Sequence, residues 1–310
     1  MNIFRKLRNA AVSVLAISAF GGVAWAQSGA IEKPNLTVGV FPLTDYSAFF
    51  LGLKEGFFIE EGLNVTPRMM GGAAPVAALV GGDLDVAGIT WTAFVLSLSR
   101  GIELVPISEA DRGVPRVTKF VVKSDSPIKT TADLVGKKVG VITVGGLCDF
   151  VLNDHLKKQG IDYKRVGYTP ISVPDMPPTL LRGGIDAACL SEPLLSTFEG
   201  QGVVRSVFDM FTGDYAGLPI IGFQATAKFA NANPNTVSAL KRAFAKSLKF
   251  GHENPAKLRD ILPTYTTLKP EDAQRIVVSQ VPAASDYGQV KRIVDMMEGL
   301  GVASNIKLPR

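Results

Sequence analysis

The feature that most constrains the fold of this chain is an alternation of strand-like and helix-like segments that occurs twice. Between Leu36 and Ile107, short apolar segments are separated by helix-like segments, several of which end at glycine. A second run with the same plan extends from Thr118 to Leu190. Because parallel strands need long, usually helical, connections, this alternation predicts an α/β fold with mostly parallel sheets.

The two runs share a short motif. In the first run it spans Gly81–Ala87 (Gly-Gly-Asp-Leu-Asp-Val-Ala), and in the second it spans Gly183–Ala188 (Gly-Gly-Ile-Asp-Ala-Ala). In each, a helix-like segment ends at a glycine pair, and a strand begins at an aspartate. This weak internal symmetry predicts two similar α/β lobes.

From Thr236 onward the pattern becomes helical. Apolar residues recur every three or four positions over Thr236–His252, which indicates one buried helix face. Further helices are expected over Pro255–Leu262, Pro270–Ser279 and Tyr287–Gly299. Since no long strand pattern is present, we expect this part to pack back on the first lobe. The chain would then cross between lobes near Asp111–Val117 and Phe208–Leu218.

The first 26 residues have the features of an export signal. A positive segment with Arg5, Lys6 and Arg8 precedes the apolar segment Ala10–Phe20, and an Ala-Trp-Ala cleavage site ends at Ala26. The apolar segment is too short to span a bilayer comfortably. We therefore expect cleavage after Ala26 and a mature protein in the periplasm.

Composition argues against several classes of protein. Without the three basic residues of the predicted signal, 30 Lys and Arg remain against 28 Asp and Glu, with no long basic run, so nucleic acid is not an expected partner. The two histidines, His155 and His252, lie in unrelated segments with no cysteine nearby, so no metal site is expected. No nucleophile–base motif is apparent, so we do not expect an enzyme.

Four segments carry a resemblance to a known family. They are Leu53–Val65 (LKEGFFIEEGLNV), Gly81–Ala87, Asp133–Val141 (DLVGKKVGV) and Gly184–Ala187 followed by Glu192-Pro193. In this order they resemble the periplasmic substrate-binding proteins of ABC transporters in the nitrate/sulfonate/taurine and thiamine-precursor group, the NMT1/THI5-like family. Most of these positions are structural, and Phe57 and Phe58 are expected in the core.

The resemblance implies a two-lobe periplasmic-binding-protein fold of type II, with a ligand cleft between lobes. Each lobe would be a mostly parallel sheet flanked by helices. We expect a signal peptide at 1–26, the first lobe at 27–115 and 216–310 with the C-terminal helices, and the second lobe at 116–215.

The resemblance also implies a function and partners. A monomer would capture a small molecule by hinge closure and deliver it to an ABC permease in the membrane, and so indirectly to its ATPase, without a cofactor. Two alternatives are a thiamine-pyrimidine-type enzyme on the same fold and a sensor that presents its closed form to a membrane receptor.

Ligands of open α/β sheets bind beyond the carboxyl ends of the strands, where helix N-termini offer unpaired N–H groups. The loops at these positions supply the candidate ligand-binding residues. They are Asp45, Tyr46, Gly72, Trp91, Thr92, Gly146, Cys148, Asp149 and Glu192.

Several candidates of the first lobe have a structural alternative. Asp45 could cap the helix that begins near Ser47. Tyr46 and Trp91 could stack on a ligand or serve packing alone. Arg112, in the predicted crossing, is expected to form a surface ion pair rather than to bind a ligand carboxylate.

The candidates of the second lobe also have alternatives. Gly146 could serve only the turn from strand to helix. Asp149 could be an early-helix carboxylate stabilised by the helix dipole. Glu192 of the Glu-Pro motif could lie at a hinge or contact the ligand.

The family resemblance and the candidate charges together bear on the ligand. Relatives usually have Ser or Thr at the second-lobe turn, where this chain has Cys148 and Asp149. With carboxylates at Asp45, Asp149 and Glu192 and no cluster of Lys or Arg, an amine-bearing zwitterion or a pyrimidine-like ring fits better than nitrate. A sulfonate held by helix N-termini alone is the remaining alternative.

The two cysteines, Cys148 and Cys189, each follow near the end of a second-lobe strand. If these strands are neighbours, as the family order implies, a disulfide is geometrically feasible, and the alternative is two buried thiols.

Overall fold

The computed structural model describes residues 29–70, 74–304 and 306–308. The predicted signal peptide lies outside these residues. The chain from Ile31 onward forms one compact unit. In the described ranges, no helix combines the length and the apolar character that a membrane crossing requires.

Ten strands are present in the described part of the chain. They are β1 (Asn35–Val40), β2 (Asn64–Met69), β3 (Val86–Thr90), β4 (Leu104–Glu109), β5 (Thr118–Lys123), β6 (Lys138–Val141), β7 (Gly167–Pro170), β8 (Ala187–Ser191), β9 (Val204–Asp209) and β10 (Ile221–Thr226).

Helices connect and cover these strands. They are α1 (Ser47–Lys54), α2 (Phe57–Glu60), α3 (Ala74–Gly81), α4 (Trp91–Ser99), α5 (Leu147–Lys158), α6 (Met176–Leu181), α7 (Leu194–Gly200), α8 (Ala227–Ala232), α9 (Pro234–Glu253), α10 (Pro255–Asp260), α11 (Pro270–Ala273) and α12 (Val290–Gly299). Short 3-10 turns occupy Thr44–Tyr46, Thr131–Leu134, Tyr163–Arg165, Gly213–Tyr215, Leu262–Thr264 and Tyr287–Gln289.

The strands form two five-stranded sheets with the same topology. The first has the order β2-β1-β3-β10-β4, and the second has the order β7-β6-β8-β5-β9. In each sheet the fourth strand is antiparallel to its neighbours, and the parallel pairs lie at the other end. The predicted α/β class with two mostly parallel sheets flanked by helices is therefore confirmed.

The aspartate of the repeated motif accepts an equivalent backbone hydrogen bond in both sheets. Asp85 accepts a hydrogen bond from the backbone N–H of Thr37 at 2.9 Å. Asp186 accepts one from the backbone N–H of Lys138 at 2.8 Å. Each carboxylate thus ties the start of one parallel strand to the strand beside it, and the sequence repeat reflects this bond.

A cluster of aromatic rings packs helices α1, α2 and α9 against strand β10 in the core of the first sheet. The ring centroid of Phe244 lies 4.4 Å from that of Phe223, 5.2 Å from Phe58 and 5.9 Å from Phe49. All four side chains are buried. The prediction that Phe58 belongs to the core is confirmed, whereas Phe57 is only half-buried and lies outside the core cluster. Helix α9 carries the buried face that its periodicity indicated.

The chain passes between the sheets twice, after β4 and after β9, and the two connections lie side by side. Gly113 donates its N–H to the carbonyl of Leu218 at 2.9 Å and accepts one from Gly217 at 3.0 Å. Arg112 bridges both Pro219 and Gln280. Its side chain pairs with Glu109 at 2.7 Å, so the predicted ion pair forms, but it is buried rather than on the surface, because the Glu109 side chain is 1% exposed.

The sequence pattern predicts one helix that is too long and does not predict two of the strands. The helix expected over Pro270–Ser279 ends at Ala273, because the residues that follow run extended and Gln280 forms a backbone bridge with Arg112. The pattern also does not predict β9 and β10, which reach their places only through pairing with β5, β3 and β4.

Close packing at the crossing yields a first prediction. A Cβ at Gly113 would lie 2.0 Å from the buried ring of Phe211, so Gly113→Ala should lower the free energy of unfolding by about 1–3 kcal/mol. A Cβ at Gly200, in α7, meets nothing within 4 Å, so Gly200→Ala should be neutral or stabilise by about 0.5–1 kcal/mol. Urea unfolding of both variants measures this, and equal midpoints would contradict it.

Candidate functional site

A pocket lies between the two sheets, at the edge where the parallel strands end. In this arrangement its cavity volume is about 10 Å³, about the room that one water molecule needs. Leu43, which follows β1, lies on one side, and the other side consists of apolar side chains with Cys189 and Ser191 of β8. We call this the intersheet pocket. Its walls are suited to an apolar ring or chain.

Two carboxyl groups lie buried together on the first-sheet side. Asp45 lies in the 3-10 turn after β1, and its carboxyl is hydrogen-bonded to that of Asp111, which follows β4. Asp45 is 6% exposed and Asp111 is fully buried. Asp45 does not cap α1, which has no side-chain cap, so that alternative is wrong.

Asp111 is positioned by the return of the chain into the first sheet. Its Oδ1 accepts a hydrogen bond from the backbone N–H of Ile221 at 3.1 Å, and its carbonyl accepts one from Ile220. The Ser279 hydroxyl lies close enough to lower the pKa of Asp111. The residue therefore belongs to the crossing and faces Asp45 from it.

Burial dominates the electrostatics of this pair. It raises the pKa of Asp45, and it raises the pKa of Asp111 well above its ordinary value, with the charge of Asp45 adding to the effect. No positive side chain contributes to either shift. Two carboxyl groups that share a hydrogen bond hold a proton between them, because two adjacent buried charges are unfavourable.

Several buried polar atoms in or beside this pair have no hydrogen-bond partner among the described residues. They are Oδ2 of Asp111 itself, the hydroxyl oxygens of Thr44, Ser47 and Ser279, the indole nitrogen of Trp91 and the side-chain amide of Gln224. Buried polar groups are nearly always paired in native proteins. Such a concentration indicates a place that receives a polar ligand or water.

The side chains of Trp91 and Gln224 both lie next to Gly222 of β10. A Cβ at Gly222 would lie 2.4 Å from the Trp91 ring and 2.5 Å from the Gln224 amide. The Trp91 ring also packs edge-on against Phe94 and Tyr287. The indole is therefore fixed by packing while its N–H has no partner in the described structure.

Two further candidates are internal to the first sheet. Tyr46 is buried, packs edge-on against Phe223 and donates its hydroxyl proton to the carbonyl of Gly88 at 2.9 Å. Thr92 is buried and its hydroxyl shares a hydrogen bond with that of Thr90 at 2.9 Å. Both side chains are engaged by the protein itself. Gly72 lies outside the described residues.

On the second-sheet side, α5 begins at the boundary between the sheets. Gly146 is its N-cap residue and has no side-chain cap, and a Cβ there would lie 2.8 Å from the carbonyl oxygen of Thr143. A Cβ at Gly145, where φ is 81°, would lie 3.3 Å from Leu96 of α4. The glycine pair thus lets the turn form against the opposite sheet.

Asp149, in the first turn of α5, folds back over the helix N-terminus. Its Oδ2 accepts a hydrogen bond from the N–H of Gly145 at 2.5 Å, while Oδ1 has no partner among the described residues. Burial raises the pKa of Asp149 to about 6, although the backbone N–H groups of Gly145, Gly146 and Phe150 act in the opposite direction.

Cys148 and Cys189 form a disulfide that joins the first turn of α5 to the end of β8. The two sulfur atoms link segments 41 residues apart, and Cys189 lines the intersheet pocket. Of the two open alternatives, the described structure has the bond rather than two thiols. The bond fixes where Asp149 lies relative to the pocket.

Glu192 joins the two halves of the molecule. Its carboxylate accepts hydrogen bonds from the N–H and hydroxyl of Ser196, and from the N–H of Val277 at 3.2 Å, in the returning part of the chain. It is fully buried, and burial raises its pKa. This places Glu192 as a bridge across the boundary between the sheets.

The structure thus brings Asp45 to an aspartate that the sequence reading did not select. The sequence signal for this residue is a carboxylate in a predicted crossing between the sheets, next to Arg112. Gln224 was also missed, because it lies on the unpredicted strand β10. None of the predicted ligand-binding residues among the described ones lines the intersheet pocket.

A larger open pocket of about 330 Å³ lies between α5 and α12. Its charged side chains are already paired, since Lys158 lies 2.9 Å from both Asp154 and Asp214. Within the described ranges, no group of three or more His, Cys, Asp and Glu side chains is arranged to hold a metal ion.

Comparison with known proteins identifies the family. The NMT1/THI5-like family matches residues 43–258. The chain belongs to this family. No curated protein matches the sequence of this family member.

Solved structures share its fold. The alkanesulfonate-binding protein SsuA from Xanthomonas axonopodis pv. citri, bound to MOPS, has a TM-score of 0.74 at 18% identity, covering 89% of this chain and 96% of that one. The periplasmic nitrate-binding protein NrtA from Synechocystis PCC 6803 has a TM-score of 0.72 at 17% identity, covering 89% and 84%. At these identities the likeness establishes the periplasmic-binding-protein fold.

The disulfide of this NMT1/THI5-like protein yields a second prediction. Replacing both Cys148 and Cys189 by serine should lower the free energy of unfolding by about 3–4 kcal/mol, because the unfolded chain regains the freedom of the closed loop. Guanidinium unfolding of the oxidised protein and the double variant measures the difference. The double variant should not change further when a dithiol is added, and an unchanged midpoint would contradict the prediction.

The buried Asp149 yields a third prediction. Its folded pKa of about 6 exceeds the ordinary 3.8, so the folded state holds a proton that the unfolded state has lost between these pH values. The associated stability is present below pH 4 and is lost as pH rises through 6. From pH 4 to 7, wild type should lose about 3 kcal/mol more than Asp149→Asn.

Denaturant unfolding at several pH values measures this difference. The exposed Asp83 serves as the control, and Asp83→Asn should keep the wild-type pH profile. Identical profiles for wild type and Asp149→Asn would show that the Asp149 carboxyl is not held in an unfavourable environment.

Proposed function

We propose that this protein is a periplasmic solute-binding protein that captures a small amine-bearing or N–H-rich organic molecule in the intersheet pocket and delivers it to an ABC permease. The observation that carries this proposal is the buried Asp45–Asp111 pair, which has no basic partner. Family membership and the shared fold support the role, and the pair supports the ligand class.

The charge state of the pair favours a cation or a strong N–H donor. Without a ligand, the two carboxyl groups keep a proton between them at the cost of a raised pKa. A ligand ammonium or amino-pyrimidine nitrogen can displace that proton and donate hydrogen bonds to both oxygens. An anion placed there would add a third acceptor to two that already lack donors.

The other surroundings restrict the size and shape of the ligand. The apolar wall formed by Leu43, Ile142 and Met176 suits a ring or a short alkyl chain. The free indole N–H of Trp91 can donate to a ligand acceptor, and the Gln224 amide can donate and accept. An aminopyrimidine with its amine at the aspartates satisfies more of these groups than nitrate does.

Capture would depend on closure of the two sheets over the ligand. The side-by-side connections near Gly113 would act as the hinge, and Glu192 would hold the second sheet to the returning chain through Val277. A ligand that contacts both sides stabilises the closed arrangement by its own binding free energy. Binding without turnover is expected, so the ligand should be recovered unchanged after release.

The fourth prediction tests the ligand class. In titration calorimetry, amine-bearing compounds without an acidic group, such as aminopyrimidines, should bind, whereas nitrate should not. For the tightest of these ligands, Asp45→Asn and Asp111→Asn should each weaken binding at least tenfold, since a hydrogen bond to a charged group contributes about 1.5–3 kcal/mol.

The control for these variants is Asp83→Asn, which changes an exposed aspartate just before the start of β3, at the opposite end of the sheet. It should leave the dissociation constant unchanged. Binding of anions only, or unaltered affinity in Asp45→Asn and Asp111→Asn, would contradict the proposed ligand class. Mass spectrometry of the released compound separates binding from catalysis.

A further inference from the structure

The N-terminus of α5 holds an anion that belongs to the chain itself. This helix of 12 residues begins at the turn Gly145-Gly146, and its N-cap residue contributes no side-chain hydrogen bond. A helix N-terminus carries unpaired N–H groups and the positive end of the helix dipole, so it attracts anions. The carboxylate of Asp149 occupies this position and accepts the N–H of Gly145 at 2.5 Å.

Two features distinguish Asp149 from an ordinary helix-capping residue. It is only 4% exposed, whereas Asp133, which accepts backbone N–H groups in the turn Thr131–Leu134, is exposed to solvent. Its second oxygen, Oδ1, is buried and has no partner among the described residues. A capping role alone would not require burying this unpaired oxygen.

No cation offsets the charge of Asp149. The groups that lower its pKa are all backbone N–H donors, those of Gly145, Asp149 itself, Gly146 and Phe150. The carboxylate is thus held as a bound oxyanion would be held, by main-chain N–H groups and the helix dipole. The donors are those that a sulfonate or carboxylate ligand would use.

The position of this turn connects it with the intersheet pocket. A Cβ on Gly145 would lie 3.3 Å from Leu96 of α4, which belongs to the first-sheet side. The disulfide ties the neighbouring Cys148 to Cys189 in the pocket wall. The helix N-terminus is therefore tied covalently to the wall of the intersheet pocket.

We propose that Asp149 is a specificity-determining residue that acts as a built-in counter-anion, filling the oxyanion site of α5 and excluding anionic headgroups from the second-sheet side of the pocket. The inference rests on the proposed function in that it takes the intersheet pocket as the ligand site. Removing the carboxyl exposes the N–H donors and converts the pocket into one that accepts a small oxyanion.

The test uses sodium methanesulfonate as the probe, titrated into the purified protein at pH 7.5 with calorimetric detection. Wild type should show no saturable binding in the millimolar range. Asp149→Ser, which removes both the charge and the bulk, should bind the probe at least tenfold more tightly than wild type. Asp149→Asn, which keeps the shape and the acceptor for Gly145, should show a smaller gain.

The matched control is Asp133→Ser, which removes an exposed carboxylate from another first helical turn. It should bind methanesulfonate no better than wild type. If Asp149→Ser does not fold, as judged by its thermal transition, Asp149→Asn decides the question, because the loss of charge alone should produce a measurable gain. Unchanged anion binding in a folded variant, or wild-type binding as tight as that of Asp149→Ser, would overturn the proposal.

This outcome is separable from that of the proposed function. The proposed ligand class is refuted if Asp45→Asn and Asp111→Asn leave amine binding unchanged. Even then, the increase in methanesulfonate affinity of Asp149→Ser can still be measured and interpreted. Conversely, a folded Asp149 variant without any anion gain refutes the counter-anion while the aspartate pair still binds the amine.

Discussion

The arrangement of this protein depends on the hydrogen-bonded contact between the two chain connections that join its sheets. Gly113 and the segment Gly217–Leu218 exchange backbone hydrogen bonds, and Arg112 extends the contact to Pro219 and Gln280. Because these bonds hold the exit from the first sheet beside the return to it, β10 can enter between β3 and β4. The same contact places Asp111 at the sheet edge, against Asp45.

Buried carboxyl groups then define the chemistry of the boundary between the sheets. The pKa values of Asp45, Asp111, Asp149 and Glu192 are all raised, and in each case burial is the largest cause. The hydrogen bonds that these groups accept do not offset the loss of solvation. A boundary of this kind gains most from a ligand that brings positive charge or N–H donors, and least from one that brings further acceptors.

The carboxyl groups on the two sides of the pocket have different surroundings. On the first-sheet side, the carboxyl groups of Asp45 and Asp111 interact with each other, and nearby hydroxyl, indole and amide groups have no hydrogen-bond partner among the described residues. On the second side, a single carboxylate satisfies the helix N-terminus that would otherwise attract an anion. The solved structures of similar fold include proteins that bind an alkanesulfonate and nitrate, and the fold itself does not set the sign of the ligand charge.

Local pattern was sufficient for the parallel parts of the fold. Three features have local causes and could be predicted from the sequence. They are the alternation of strands and helices, the strand-start aspartates Asp85 and Asp186, and the periodic buried face of α9. The antiparallel strands β9 and β10 were not, because partners more than 80 residues away in sequence determine their pairing. The helix expected to reach Ser279 ends early for a similar reason, since the backbone bridge between Gln280 and the distant Arg112 holds that segment extended.

The sequence by itself determined the α/β class, the family and the set of carboxylates near the strand ends, because each depends on short motifs and residue spacing. Only the tertiary structure decided which of these groups meet. It paired Asp45 with Asp111 across 66 positions of the chain, folded Asp149 onto the start of its own helix, and linked Cys148 to Cys189. The physical reason is burial: the charge state of a carboxyl depends on its solvation and neighbours, and these exist only after the two sheets have packed together.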